Sequence, residues 1–222
     1  MDRRTESWLE HVEENLKFLA ELGVGFVPAG DSKARPRDTL LSLHEKILNC
    51  RLCPLAGSRT RAVPGEGDFD TDLMFVGEAP GADEDAQGRP FVGRAGQLLT
   101  KIIEAMQFRR EEVFITNVVK CRPPENRTPF PEEIEKCRGY LLGQIEAIQP
   151  KVIVTLGKVA TEFFVPLEAS MANLRGKFYE SGKILVMPTY HPSYVLRNEG
   201  NKAIKKLVWQ DMQKVMAVLS KQ

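Results

Sequence analysis

DLMFVGEAPG, residues 72–81, decides how this chain folds. Asp72 to Val76 is an apolar run too short for a helix, and it stops on Gly77-Glu78-Ala79-Pro80-Gly81, where two glycines bracket a proline. Such a run reads as a strand buried on both faces with a sharp turn at its carboxyl end. Three similar runs follow: Val113 to Thr116, Lys151 to Leu156 and Ile184 to Met187. Helical patterns separate them. Leu98, Leu99, Ile102, Ile103 and Met106 mark one stripe, Ile134 to Ile148 a second, Gly157 to Phe164 a short third, and Asn201 to Leu219 closes the chain. Strands alternating with helices predict an α/β protein, a three-layer α/β/α sandwich around a four-stranded parallel sheet.

In a sheet of this kind the ligand crevice lies beyond the carboxyl ends of the strands. The residues delivered there are the 77–81 turn, Asn117, Gly157-Lys158 and His191-Pro192-Ser193. Gly77 and Gly81 let the backbone approach a ligand closely. The turn has neither the G-x-G-x-x-G spacing of a dinucleotide site nor the G-x-x-x-x-G-K-S/T spacing of a P-loop. Asn117 carries both a donor and an acceptor, the complement of a base edge or another amide, although a strand-end asparagine is also an ordinary turn residue. His191, one of three histidines, is held extended by Pro192. Phe91, within GRPFVG (88–93), belongs to no periodic stripe and is free to serve as a stacking platform.

Thr39 to Leu48 predicts a short helix that delivers Cys50 and Cys53 in a C-x-x-C, while Cys121 and Cys137 lie far downstream. Four thiols divided in this way suggest one metal centre, iron-sulfur or zinc, tying two chain regions together. No apolar run reaches membrane-spanning length and no signal-peptide core follows Met1, so a cytoplasmic, monomeric protein with reduced thiols and no membrane attachment is expected. Trp8, Leu9, Val12, Leu16, Leu19 and Leu22 recur at helical spacing, and a Gly/Pro-rich stretch follows them. The organisation is therefore an N-terminal helical extension, residues 1–38 (helix and linker), and a main domain, residues 39–222. The first helix either packs on that domain or is offered to a protein partner. At 42% hydrophobic residues the chain can bury a sizeable core. A formal net charge of +1 excludes a uniformly basic nucleic-acid binder, yet residues 172–206 hold seven basic side chains against two acidic ones.

GEAPG (77–81), GRPFVGRAGQLL (88–99), ITNVVKCRPPENR (115–127), HPSYVLRN (191–198) and the four-cysteine layout, in this order, resemble the family 4 uracil-DNA glycosylases, the iron-sulfur type found in bacteria and archaea. The likeness runs from residue 40 to residue 220 and leaves the first forty residues outside it.

The resemblance implies that Cys50, Cys53, Cys121 and Cys137 hold a structural [4Fe-4S] cluster. It implies hydrolysis of the N-glycosidic bond of uracil in DNA after the nucleotide is swung out of the stack, leaving an abasic site. Phe91 would stack on uracil and Asn117 would read its amide edge. His191, with backbone N–H groups of the 77–81 turn, would stabilise the departing anion. Glu78 would orient water or stabilise the cationic sugar, and Glu84 would lie near the C5 edge and exclude thymine's methyl. Ala79 stands where the best-known uracil glycosylases place an aspartate, so water activation is weaker or comes from a neighbour. Val195 and Leu196 would fill the gap left by the extruded base, with Val195 favoured, unless both begin a buried helix. Arg197 would meet phosphate, with Lys120, Arg122, Arg127, Arg175 and Lys202 as further phosphate contacts. The rival expectations are a noncatalytic metal-stapled nucleic-acid-binding module and a glycosylase acting mainly on hypoxanthine or xanthine.

Overall fold

The computed structural model of the chain describes residues 36–165 and 169–220. The amphipathic stripe expected between Trp8 and Leu22, and most of the linker behind it, lie outside these residues. Six strands form one sheet: β1 (Glu66–Gly67), β2 (Leu73–Gly77), β3 (Phe114–Asn117), β4 (Val152–Leu156), β5 (Tyr179–Ser181) and β6 (Ile184–Thr189), in the spatial order β1-β3-β2-β4-β6-β5. The four central strands run parallel and are those that the apolar runs predict. The sheet is wider than the expected four strands because β1 and β5 add antiparallel edges to β3 and β6. These edges hold two and three residues, too few for alternation to show in sequence.

The helices are α1 (Pro36–Leu48), α2 (Leu55–Ser58), α3 (Ala82–Gln87), α4 (Arg94–Ala105), α5 (Pro131–Ile148), α6 (Lys158–Phe164), α7 (Met171–Leu174), α8 (Pro192–Arg197) and α9 (Lys202–Leu219). Alternation along β2 assigns its side chains to two layers. Met74 and Val76 pack with Leu40, Leu43, Leu141 and Ile145 of α1 and α5, whereas Leu73 and Phe75 pack with Leu99, Ile103, Met212 and Val215 of α4 and α9. With both faces covered, β2 and β4 are buried along their whole length, which is why they read as continuous apolar runs rather than as alternating ones. Truncating Phe75, which is fully buried, to alanine would cost about 3–5 kcal/mol. Among the described residues no helix is long and apolar enough to cross a membrane.

From β2 the chain passes to β3 on one side of it and then to β4 on the other, so the order reverses around β2. Beyond its carboxyl end is the switch-point crevice where ligands bind in open α/β sheets. Register fixes what lines it: Gly77 pairs with Asn117 across β2 and β3, and Leu156 with Thr189 across β4 and β6.

Candidate active site

A cavity of about 720 Å³ opens at these strand ends, and Glu78, Ala79, Glu84, Phe91, Asn117, His191 and Arg197 all line it. The structure thus brings together the residues that the sequence proposed from four separate segments.

Gly77 is the hinge of the arrangement. A Cβ at this position would lie 2.4 Å from Phe91 Cζ and 2.4 Å from Asn117 Oδ1, so only glycine lets both side chains close over the end of β2. Phe91 itself sits at φ +50°, a conformation that costs a bulky residue about 1–3 kcal/mol. Its backbone crosses directly over Gly96 in the first turn of α4, where a Cβ would fall 1.8 Å from the Phe91 carbonyl oxygen. The ring is 6% exposed and its centroid stands 5.8 Å from that of His191.

Glu84 does more than line the wall. Its Oε1 accepts the N–H groups of Val92 and Gly93 at 2.8 and 2.9 Å, and its Oε2 accepts that of Gly81 at 3.1 Å. One carboxylate therefore ties the 77–81 turn to the loop carrying Phe91. The Gly81 N–H is spent on this tie. Glu78 is half-buried, and burial pushes its carboxyl above the usual range while a hydrogen bond with the Thr128 side chain opposes the shift.

Asn117 is 1% exposed and its side-chain Oδ1 has no hydrogen-bond partner. A buried amide oxygen left unpaired costs about 1–3 kcal/mol unless a ligand satisfies it. Its backbone is held firmly: Lys120 Nζ donates to the Asn117 carbonyl at 2.7 Å, to Thr116 Oγ1 at 2.6 Å and to Gln144 Oε1 at 2.7 Å.

His191 caps α8, and its Nδ1 accepts the Ser193 N–H. Burial pushes the imidazole down to about 4, with the Arg197 charge acting in the same direction and Glu84 against it. The ring is neutral at pH 7.

Several side chains expected at the DNA have partners within the protein. Val195 is 3% exposed and packs on Ile204 and Val208 of α9, so it does not project outward; helical geometry turns it inward while Tyr194 and Arg197 face solvent and Leu196 is half-buried. Lys120 is 1% exposed and serves Asn117 rather than phosphate. The Arg175 side chain is 12% exposed and bonds to buried Asp211 and to the Leu207 carbonyl. Arg127 pairs with Glu133, and Arg122 donates to Asn126. Lys202 and Arg197 remain exposed. Tyr190 and Asn126 also line the cavity. Asn126 falls inside the ITNVVKCRPPENR stretch but takes no role there from the resemblance, and only its nearness to His191 in sequence could have pointed to Tyr190.

All four cysteines are free thiols belonging to or packed against one core cluster, Cys50 and Cys53 half-buried, Cys121 and Cys137 buried. Arg59 Nη1 donates to Cys121 Sγ at 2.8 Å, the Lys120 N–H to Cys137 Sγ at 3.3 Å and the Leu52 N–H to Cys50 Sγ at 3.5 Å. Burial pushes the Cys137 thiol up to about 12; Lys120 opposes this, and the nearby Cys121 and Cys50 add to it. Sulfurs that accept N–H groups beside a cation are suited to thiolate ligands. Among the described residues no group of three or more His, Cys, Asp or Glu side chains is positioned to hold a metal ion.

The sequence model of the Uracil DNA glycosylase superfamily matches residues 64–213. A type-4 uracil-DNA glycosylase of Thermotoga maritima is 48% identical over 189 residues, which cover 84% of this chain and 98% of the relative. The type-4 uracil-DNA glycosylase of Archaeoglobus fulgidus is 45% identical over 183 residues, 77% of this chain and 92% of the relative. A type-5 uracil-DNA glycosylase of Pyrobaculum aerophilum is 29% identical over 205 residues, 78% of this chain and 90% of the relative.

Proposed function

Since the chain belongs to the uracil-DNA glycosylase superfamily and to its type-4 branch, we propose that it hydrolyses the N-glycosidic bond of deoxyuridine in DNA, releasing uracil and leaving an abasic site. The observation that carries this reading is the unpaired Oδ1 of buried Asn117, facing a cavity shared with Phe91 and His191.

The nucleotide must leave the stack to reach this cavity. Phe91 covers one face of the base. Asn117 Oδ1 accepts the uracil N3–H and its amide nitrogen donates to O4; cytosine presents an acceptor and a donor at these positions and leaves the buried amide mismatched. As the bond breaks, negative charge gathers on the uracil oxygens. His191, neutral and with Nδ1 occupied as acceptor, turns an Nε2–H donor toward that charge. With the Gly81 N–H committed to Glu84 and Pro80 lacking one, the backbone share of this stabilisation falls to Glu78 and Ala79. Glu78 stabilises the cationic sugar or orients water, and a dissociative bond cleavage makes little demand on the nucleophile. Glu84, fixed by three N–H groups, is a rigid wall against a 5-methyl group.

Cys50, Cys53, Cys121 and Cys137 would hold a [4Fe-4S] cluster, whose contribution is a cross-link rather than bond-making chemistry. Bound there, it would join the segment after α1 to the segment after β3 and to α5, close to Asn117 in sequence. Leu196 and Tyr194 are the apolar side chains of α8 turned toward the duplex, with Arg197 at phosphate.

The test is release of free base by iron-loaded protein from matched duplexes holding uracil, hypoxanthine, xanthine, thymine or cytosine. Uracil released well ahead of the others supports the reading. DNA binding without any base release would sustain the noncatalytic module instead.

A further inference from the structure

Phe130 is 57% exposed, an uncommon setting for phenylalanine, and it belongs to none of the three apolar clusters. It stands just outside the cavity. Asn126 and Arg127 line the cavity wall, the Thr128 side chain bonds with Glu78, and the Arg127 guanidinium lies 3.8 Å over the Phe130 ring.

The ring is held in place before anything binds. Arg127 pairs with Glu133 through two bonds of 2.8 and 2.7 Å, and Glu133 Oε2 also accepts the Phe130 N–H at 2.7 Å. Glu133 is 3% exposed, and the Arg127 guanidinium holds its carboxyl below the usual range. Pro129 and Pro131 restrict the backbone on both sides. The loop reaches this position through Glu125 and Asn126, both at φ +55°, a conformation that non-glycine residues hold only where the surroundings impose it. Arg122, whose Nε donates to Asn126 Oδ1 at 2.8 Å, adds a second cation to the same loop.

A preorganised aromatic ring, covered on one face by a guanidinium and otherwise open to water, is a base-stacking surface. Its place beside the cavity selects the base. When one nucleotide enters the cavity, its neighbour in the strand loses a stacking partner. We propose that Phe130 replaces that partner, binding the base adjacent to the excised uracil. This rests on the uracil-excision reading above and extends the recognised ligand from one nucleotide to two.

Single-turnover excision on two kinds of oligonucleotide tests it: uracil between ordinary bases, and uracil with a tetrahydrofuran abasic residue on its 5′ or 3′ side. For the wild-type protein, removing the base on one of the two sides weakens apparent affinity about ten-fold, and removing the other does not. Phe130→Ala shows the same loss on the ordinary substrate and none beyond it on the abasic one; Phe130→Trp restores the wild-type pattern. Because each protein is compared with itself on two substrates, a general loss of fold cancels. An equal drop on both substrates, or no drop on either, overturns the platform. Absence of uracil release by the wild-type protein on every substrate is a separate result, which removes the excision reading and the platform with it.

Discussion

The Ser193 N–H donates to Nδ1 of His191 at 3.1 Å, and Ser193 Oγ lies 2.8 Å from the same nitrogen. Two residues of one helix start therefore fix the tautomer of the imidazole and place its proton on Nε2, on the cavity side. Burial keeps the ring neutral until pH falls to about 4. Excision should accordingly show no histidine inflection near 6.5, the ordinary value; its acid limb starts with protonation of Glu78, whose carboxyl burial holds above the usual range, and His191 adds to it only near 4. Stability follows with a defined sign. Between 6.5 and 4 the unfolded chain takes up a proton that the folded chain resists, so the fold weakens as pH drops through this window. His191→Ala should lower kcat by about 10²–10³-fold. A titration of the His191 ring by NMR with a midpoint in the ordinary range would contradict the assignment.

Gly77→Ala is the sharpest steric probe. The added methyl lies 2.4 Å from both the Phe91 ring and Asn117 Oδ1, and β2 is too enclosed to yield. The two side chains must part, so uracil affinity and rate should fall together by at least about 100-fold, the scale expected when reacting groups are misplaced by an ångström. Gly57→Ala, with nothing within 4 Å of its added Cβ, is the control that should change neither. Wild-type kinetics for Gly77→Ala would show that the cavity wall is not where the structure places it.

Asn117 and the cysteines separate base reading from cross-linking. Asn117→Ala should abolish uracil release while leaving visible iron-sulfur absorbance and thermal stability intact, since its side-chain Oδ1 makes no bond within the protein. Cys137→Ser, or removal of the iron, should instead bleach the absorbance and lower the melting temperature, because the tie between α1 and α5 goes with it. Loss of colour and activity together in Asn117→Ala would make that residue structural. Intact melting after iron removal would deny the cluster its role as a cross-link.

Much of this site is legible in sequence because each element ends where its residues change character. The runs ending at Val76, Thr116, Leu156 and Met187 give the parallel core, and the polar residues after them fall into one cavity. What stays hidden depends on direction and partnership. Val195 and Arg197 are two positions apart on α8, and only packing on Ile204 and Val208 decides that the first is core and the second is surface. Glu84 reads as one more carboxylate in ADEDAQ until its three N–H donors are seen. β1 and β5 are made by their partner strands rather than by their own pattern.

Charge gives the same lesson in testable form, since Arg175 and Arg197 read alike in the basic stretch from 172 to 206 and differ in what surrounds them. Arg175 donates through Nε to Asp211 at 3.0 Å and through Nη2 to the Leu207 carbonyl at 2.7 Å, and Asp211, fully buried, also accepts from Thr189 Oγ1 at 2.7 Å. This network pins the end of β6, one residue before Tyr190 and two before His191. Arg175→Ala leaves a buried carboxyl without its cation, at a cost of about 3–5 kcal/mol, which in a chain of this size lowers the melting temperature by about 10 °C. The dependence of DNA affinity on salt should not change, because Arg175 meets no phosphate. Arg197 is exposed at the cavity mouth, and Arg197→Ala should do the opposite: melting unchanged, and the slope of log affinity against log salt reduced by about one. Thermal melts and salt titrations on the two variants decide between them, and a reduced salt slope in Arg175→Ala would return that residue to the DNA surface.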